Sequence, residues 1–184
     1  VPTEPMSLGE SPVQGAKDAP IVMVVFSDFQ CPSCGIFARD IMPAIRREYV
    51  DTGKVAIAFR HLPLQRIHSM AVRAAAAAEC AAPAGHFWEM HDRLFAAQAE
   101  LDDRVFRLEA ARFGLDASAF GTCLDAAPGG RVARDIQVAA RLGITSTPSF
   151  LFGVQTANGH ITFRNTLAGA WPIEFYRAIF DRML

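Results

Sequence analysis

Two cysteines three positions apart, Cys31-Pro32-Ser33-Cys34, are the residues best suited to covalent chemistry in this chain. A dithiol at that spacing can close to a disulfide and reopen, exchanging electrons with other thiols. The thiolate is the reactive form, and its surroundings set how much of it exists at neutral pH. A cysteine at the start of a helix meets unpaired first-turn N–H groups and the positive end of the helix dipole, and both favour thiolate. Cys34 then falls one turn along the same face, within disulfide reach of Cys31. Pro32 suits the first helical position, where a missing N–H costs nothing. The pattern predicts an accessible, nucleophilic Cys31 and a more buried Cys34.

Competing chemistries fit less well. Structural zinc takes four ligands, usually a second pair of this kind, and Cys80 and Cys123 stand alone. His86 and His91 are spaced poorly for one helical face and are expected to cap or pack a helix. A purely structural Cys31–Cys34 bond closes too short a loop to stabilise much. Soft Cu(I) would suit two thiolates, but no His- or Met-rich tract accompanies them. No metal or cofactor is therefore expected.

The elements that must position Cys31 are readable around it. Ile21 to Phe26 is a continuous β-branched and apolar run, as in a central strand buried on both faces. After Cys34, Ile36, Phe37, Ile41, Ile45 and Tyr49 recur at helical spacing, so Cys31 falls at a strand-to-helix junction. Val55 to Phe59, following Asp51-Thr52-Gly53, is a second strand, and the βαβ unit should be parallel and right-handed. The Pro-containing, polar first twenty residues offer one short edge strand near Val13.

From Ile67 to Leu142 the chain is Ala-rich with helical period, broken at Pro83, Gly85, Gly114, Gly129-Gly130 and Gly143. The expected helices cover 67–82, 86–98, 102–113, 116–126 and 130–142, with Asp102 and Asp116 as N-caps and Gly114 and Gly143 as their ends. Ser149–Phe152, a turn at Ala157-Asn158-Gly159 and His160–Phe163 form a hairpin. A last helix, with Pro172 at its first position, should bury Phe175, Ile179 and Phe180. Pro148 opens a strand after Gly143-Ile144-Thr145-Ser146-Thr147; by itself it reads as an ordinary trans proline, although a cis bond at such a turn would expose the Thr147 backbone to an extended peptide.

Composition limits the remaining options. Of 184 residues, 51% are hydrophobic and 20% charged, with 14 Phe, enough for a sizeable core and unlike a disordered chain. A formal charge of −1 with no basic cluster argues against a nucleic-acid partner. Ala74–Ala78 reads as a close-packed helix, Phe106, Phe113 and Phe120 as core, and Arg46-Arg47 and Asp102-Asp103 as solvated faces.

In this order, Phe26-Ser27-Asp28-Phe29-Gln30-Cys31-Pro32-Ser33-Cys34, Phe87-Trp88-Glu89-Met90-His91-Asp92 and Gly143 to Phe150 resemble the DsbA-like thiol–disulfide oxidoreductases. The resemblance runs from about Val13 to the last helix. It implies an α/β chain with a thioredoxin fold: a mixed sheet built as βαβ then ββα, with an inserted helical subdomain. The whole of 1–184 would be a single domain, with 13–64 and 144–184 as the two halves and 65–143 as the insertion. It also implies Cys31 as nucleophile, Cys34 as resolving thiol, and Pro32, Ser33, Thr147 and Pro148 as active-site support, with Thr147-Pro148 as a cis-proline loop.

The implied activity is transfer of disulfides to reduced or misfolded polypeptides by a monomer, outside the cytoplasm and periplasmic in a bacterium with two membranes. Reoxidation would come from a membrane quinone-linked protein of the DsbB or VKOR kind. Val1 in place of Met is consistent with a removed signal or anchor segment, or with trimming. Two departures weigh against strong oxidase character: Ser33 is uncharged where the best-known oxidase has histidine, and Val25 occupies a position where relatives often carry a buried Glu. The same pair could instead serve an isomerase or reductase, and a Cu(I)- or zinc-binding role ranks below both. Cys80 and Cys123, in separate helices of the insertion, are expected to pair with each other.

Overall fold

The computed structural model describes residues 1–126 and 130–184; Gly129 of the expected Gly129-Gly130 break lies outside the described residues. Among the described residues six strands form one mixed sheet: β1 Met6–Ser7, β2 Val13–Gln14, β3 Ile21–Ser27, β4 Val55–His61, β5 Ser149–Gln155 and β6 His160–Ala168. Their order across the sheet is β1-β6-β5-β3-β4-β2. The central β3 runs parallel to β4, from Ile21 opposite Val55 to Ser27 opposite His61, and antiparallel to β5. Every residue of β3 is buried, as its unbroken apolar run requires.

Alternation along β3 divides the core between two faces of the sheet. Ile21, Met23 and Val25 join Ile57, Phe59, Phe150 and Phe152 beneath most of the helices. Val22, Val24 and Phe26 face the opposite layer, where Ala139 and Val138 pack with Met6 and Leu8 of the N-terminal segment. Burying each large apolar side chain contributes about 1.5–3 kcal/mol.

The helices are α1 Pro32–Ile36, α2 Met42–Ile45, α3 Ala71–Ala81, α4 Phe87–Ala96, α5 Asp103–Arg112, α6 Ala117–Asp125, α7 Arg131–Arg141 and α8 Ile173–Met183. Between α1 and α2, and again after α2, the turns widen to π-helix at Phe37–Ile41 and Arg46–Val50. Pro43 has no N–H to return to Arg39, which interrupts the α ladder there. Asp102 accepts from Val105 N–H at 2.8 Å and Asp116 from Ala119 N–H at 2.7 Å, closing the starts of α5 and α6. Gly114 and Gly143 end helices with φ of +71° and +67°, a conformation that favours glycine. Among the described residues no helix is long and apolar enough to cross a membrane.

Several sequence expectations are corrected. Phe175 is exposed, because Tyr176 and Phe180, four residues apart, form the buried face of α8 and Phe175 lies about 100° round the helix from Tyr176; Pro172 is the cap rather than the first helical residue. Ile36 likewise faces outward. Both hairpin strands run beyond the predicted ends, since β6 alternates with exposed polar residues such as Arg164 that mask its apolar signal. The edge strand β1, only two residues long, carries no period to detect. Arg46 is no free surface group: it pairs with Asp92 at 2.8 Å and lies over the Trp88 ring. Asp103 pairs with Arg73, while Asp102 is the cap already described.

Candidate active site

β3 delivers the chain through Ser27 and Asp28 directly onto the first turn of α1. Cys31 is the N-cap, with extended φ −68° and ψ 121°, and Pro32 follows in the first turn. The Cys31 carbonyl accepts from Gly35 N–H at 3.1 Å and begins the helix. Its side chain is more enclosed than the sequence suggested: 8% of Cys31 is exposed, against none of Cys34. Both sulfurs are thiols here.

Cys31 and Cys34 have opposite acidities. A hydrogen bond from the Cys34 side chain is the largest influence on Cys31, lowering its pKa to about 5 against the opposing effect of burial. The Thr147 side chain and the N–H groups of Cys34 and Ser33 assist. For Cys34, burial dominates and raises the pKa well above the ordinary thiol value, with the hydrogen bond to Cys31 acting in the same direction. Ser33 thus contributes through its backbone N–H.

The peptide bond between Thr147 and Pro148 is cis, and this loop faces the first sulfur. The protonated Cys31 thiol donates to the Thr147 carbonyl at 3.3 Å. The Thr147 hydroxyl is buried without a partner among the described residues, so it is available to donate once the sulfur is a thiolate. A cleft of about 850 Å³ reaches Ser146 and Ser149, on either side of this dipeptide, and stops short of Cys31. Trp171 closes part of that cleft and packs on exposed Phe175, with ring centroids 4.9 Å apart.

Two supporting groups escaped sequence reasoning. Gln98, in a short turn after α4, donates to the carbonyls of Cys31 at 2.8 Å and Phe29 at 2.9 Å. A Cβ on Gly35 would overlap this amide, so the glycine makes room for the latch. Asp28, 1% exposed, engages the N–H groups of Gln30 and Leu64 and the His68 ring through its carboxylate. No periodicity marks either residue.

Cys80 and Cys123 form a disulfide joining α3 to α6, with Cα atoms 5.9 Å apart. They lie in the helical block rather than with Cys31 and Cys34. His91 is buried among Phe29, Phe59 and Phe95 under the active-site loop, where burial lowers its pKa. His86 sits at the N-cap of α4 and stacks on Phe113.

The thioredoxin family pattern matches residues 7–168. Na(+)/H(+) antiporter NhaA 3 of Salinispora tropica is 40% identical over 148 residues, covering 80% of this chain and 22% of the antiporter. The chain thus spans about a fifth of the length of the antiporters it matches. Disulfide bond formation protein D of Bacillus subtilis is 32% identical over 96 residues, 52% of this chain and 43% of that protein. Among solved structures, alpha-DsbA1 of Wolbachia pipientis gives a TM-score of 0.84 at 23% identity, covering 97% of this chain and 92% of the other. Oxidised BdbD of Bacillus subtilis gives 0.81 at 22% identity, covering 98% and 96%.

Proposed function

The chain belongs to the thioredoxin family, as a DsbA-like thiol–disulfide oxidoreductase with helices inserted in the fold, and on that premise we propose that it acts outside the cytoplasm as a donor of disulfides to reduced or misfolded polypeptides. The observation that carries this reading is the asymmetry of the dithiol. Cys31, held near a pKa of about 5, is a thiolate at neutral pH, whereas buried Cys34 keeps its proton. Stabilising the reduced form in this way makes a disulfide more oxidising.

In the proposed cycle a substrate thiolate attacks Cys31 Sγ of the oxidised protein, and Cys34 leaves as thiolate and takes up a proton. A second substrate thiolate then attacks the substrate sulfur of the mixed disulfide, and Cys31 departs as its stabilised thiolate. The substrate leaves oxidised and the protein reduced. Pro32 shapes the first turn, Ser33 lends its N–H, and Thr147-Pro148 present an open backbone beside Cys31 for an extended substrate. Reoxidation would fall to a membrane quinone-linked protein of the DsbB or VKOR kind, with this chain acting as a monomer.

Equilibration of the Cys31–Cys34 couple in glutathione buffers tests the direction. A potential well above that of thioredoxin, about −270 mV, is expected; one at or below it would assign a reductant instead. Cys31→Ser should abolish transfer to a reduced polypeptide, and Cys34→Ser should trap mixed disulfides. Transfer surviving in Cys31→Ser would overturn the nucleophile assignment.

A further inference from the structure

Disulfide opening needs more than an activated Cys31. When an incoming thiolate bonds to Cys31 Sγ, the Cys31–Cys34 bond breaks and its electron pair goes to Cys34, which is fully buried. A thiolate formed there is costly unless donors face it. Two groups counter that burial: the Ser27 side chain and the backbone N–H of Asp28. Asp28 N–H lies 3.5 Å from Cys34 Sγ, while the Asp28 carbonyl accepts from Cys31 N–H at 3.1 Å. One peptide segment therefore brackets both cysteines.

That segment is fixed from a distance. Asp28 Oδ1 accepts from Gln30 N–H, and Oδ2 accepts from both Leu64 N–H and His68 Nδ1, each at 2.8 Å. A carboxylate only accepts, so His68 Nδ1 carries the proton. Gln30 Oε1 makes a parallel tie to Met70 N–H at 2.6 Å. The 64–70 loop thus grips the turn before Cys31 at two points.

From this geometry we propose that the Asp28–His68 pair is a positioning unit that holds the Asp28 N–H against Cys34 so that its sulfur can leave as a thiolate. The inference rests on the disulfide exchange proposed above and adds a role for two residues in one half-step. Neither side chain touches the reacting atoms; both act through the main chain.

The test compares two reactions in Asp28→Asn, His68→Phe and His68→Asn. In the first, oxidised protein is opened by dithiothreitol, and Cys34 must leave. In the second, reduced Cys31 attacks an aromatic disulfide reagent whose own thiolate leaves, so Cys34 does not. Asp28→Asn and His68→Phe should slow the first reaction about ten-fold, the scale of one hydrogen bond to a charged sulfur. The second should change by less than about three-fold on the same reasoning. His68→Asn, whose amide can occupy the Nδ1 position, should restore most of the first rate.

Equal slowing of both reactions would mean general distortion of the active site and overturn the proposal. So would faster opening in Asp28→Asn alongside slower opening in His68→Phe, which would mark a through-space charge effect. Wild-type opening rates in all three variants would also end it while leaving the proposed function intact. Wild-type protein that failed to exchange at all would remove both.

Discussion

At Cys31 and Cys34 a single hydrogen bond has opposite effects on its two partners. The Cys34 side chain is the largest influence lowering Cys31 to about 5, and the same contact adds to burial in raising Cys34. Alkylation of reduced protein by iodoacetamide should therefore show a midpoint near pH 5 for Cys31. Cys34→Ala removes that donor and should move the midpoint upward by more than Cys34→Ser, which keeps a hydroxyl; identical midpoints would leave the helix N-terminus as the dominant cause. The shift also has a consequence for stability. Because the folded value is depressed, the unfolded state binds more protons between pH 5 and the ordinary value of 9.0. The contribution is complete above that range and lost as pH falls through about 5. Unfolding of reduced protein in denaturant, referenced to the oxidised form, should thus show stability increasing from pH 5 to 9. A flat difference across that window would contradict the lowered pKa.

At the scale of elements, the sequence exposes what repeats and conceals what meets across the fold. The unbroken apolar run of β3, the helical spacing after Cys34 and the aspartate caps are local patterns, so the strand-to-helix junction beneath Cys31 is legible. The supports of that junction are not: Gln98 reaches Cys31 across 67 residues and His68 reaches Asp28 across 40, and such pairs leave no period. Phe175 differs for a related reason: Tyr176 with Phe180 competes with Phe175 and Ile179 for the inward face of α8, and the packing that chooses between them leaves no local pattern. Gln98 and Gly35 offer a test at this scale. Gln98→Ala strips a partner from the Phe29 and Cys31 carbonyls and should cost about 1 kcal/mol in denaturant unfolding. Gly35→Ala should destabilise wild type, because the new Cβ overlaps the Gln98 amide and the Arg39 guanidinium. In a Gln98→Ala background the same change should cost less, since only the Arg39 overlap remains and alanine is the better helix former. A double-mutant cycle reads this coupling directly, and additive effects would show that the Gln98 amide is not what limits residue 35 to glycine.

Across the whole molecule, the two cysteine pairs occupy separate parts of the fold. Cys31 and Cys34 stand at the sheet end of α1 as thiols, whereas Cys80–Cys123 ties α3 to α6 within the helical block. The same helices are also tied by Arg73, which bonds Asp103, the Leu124 carbonyl and Asp125. The disulfide closes a loop with a sequence separation of 43. Chain-entropy reasoning puts its contribution at about 4 kcal/mol, the Arg73 contacts being additional. Replacing both Cys80 and Cys123 with alanine should lower unfolding stability by up to that amount, while the rate of disulfide opening at Cys31 stays at the wild-type value. The two bonds should also separate by redox potential. A glutathione buffer just reducing enough to open Cys31–Cys34 should leave Cys80–Cys123 intact, because a bond that constrains packed helices resists reduction more than one poised for exchange. Alkylation under those conditions, followed by mass measurement, should label two thiols. Labelling of all four would show that both pairs respond to the same potential, and that the helical block lacks a structural crosslink suited to an oxidising compartment.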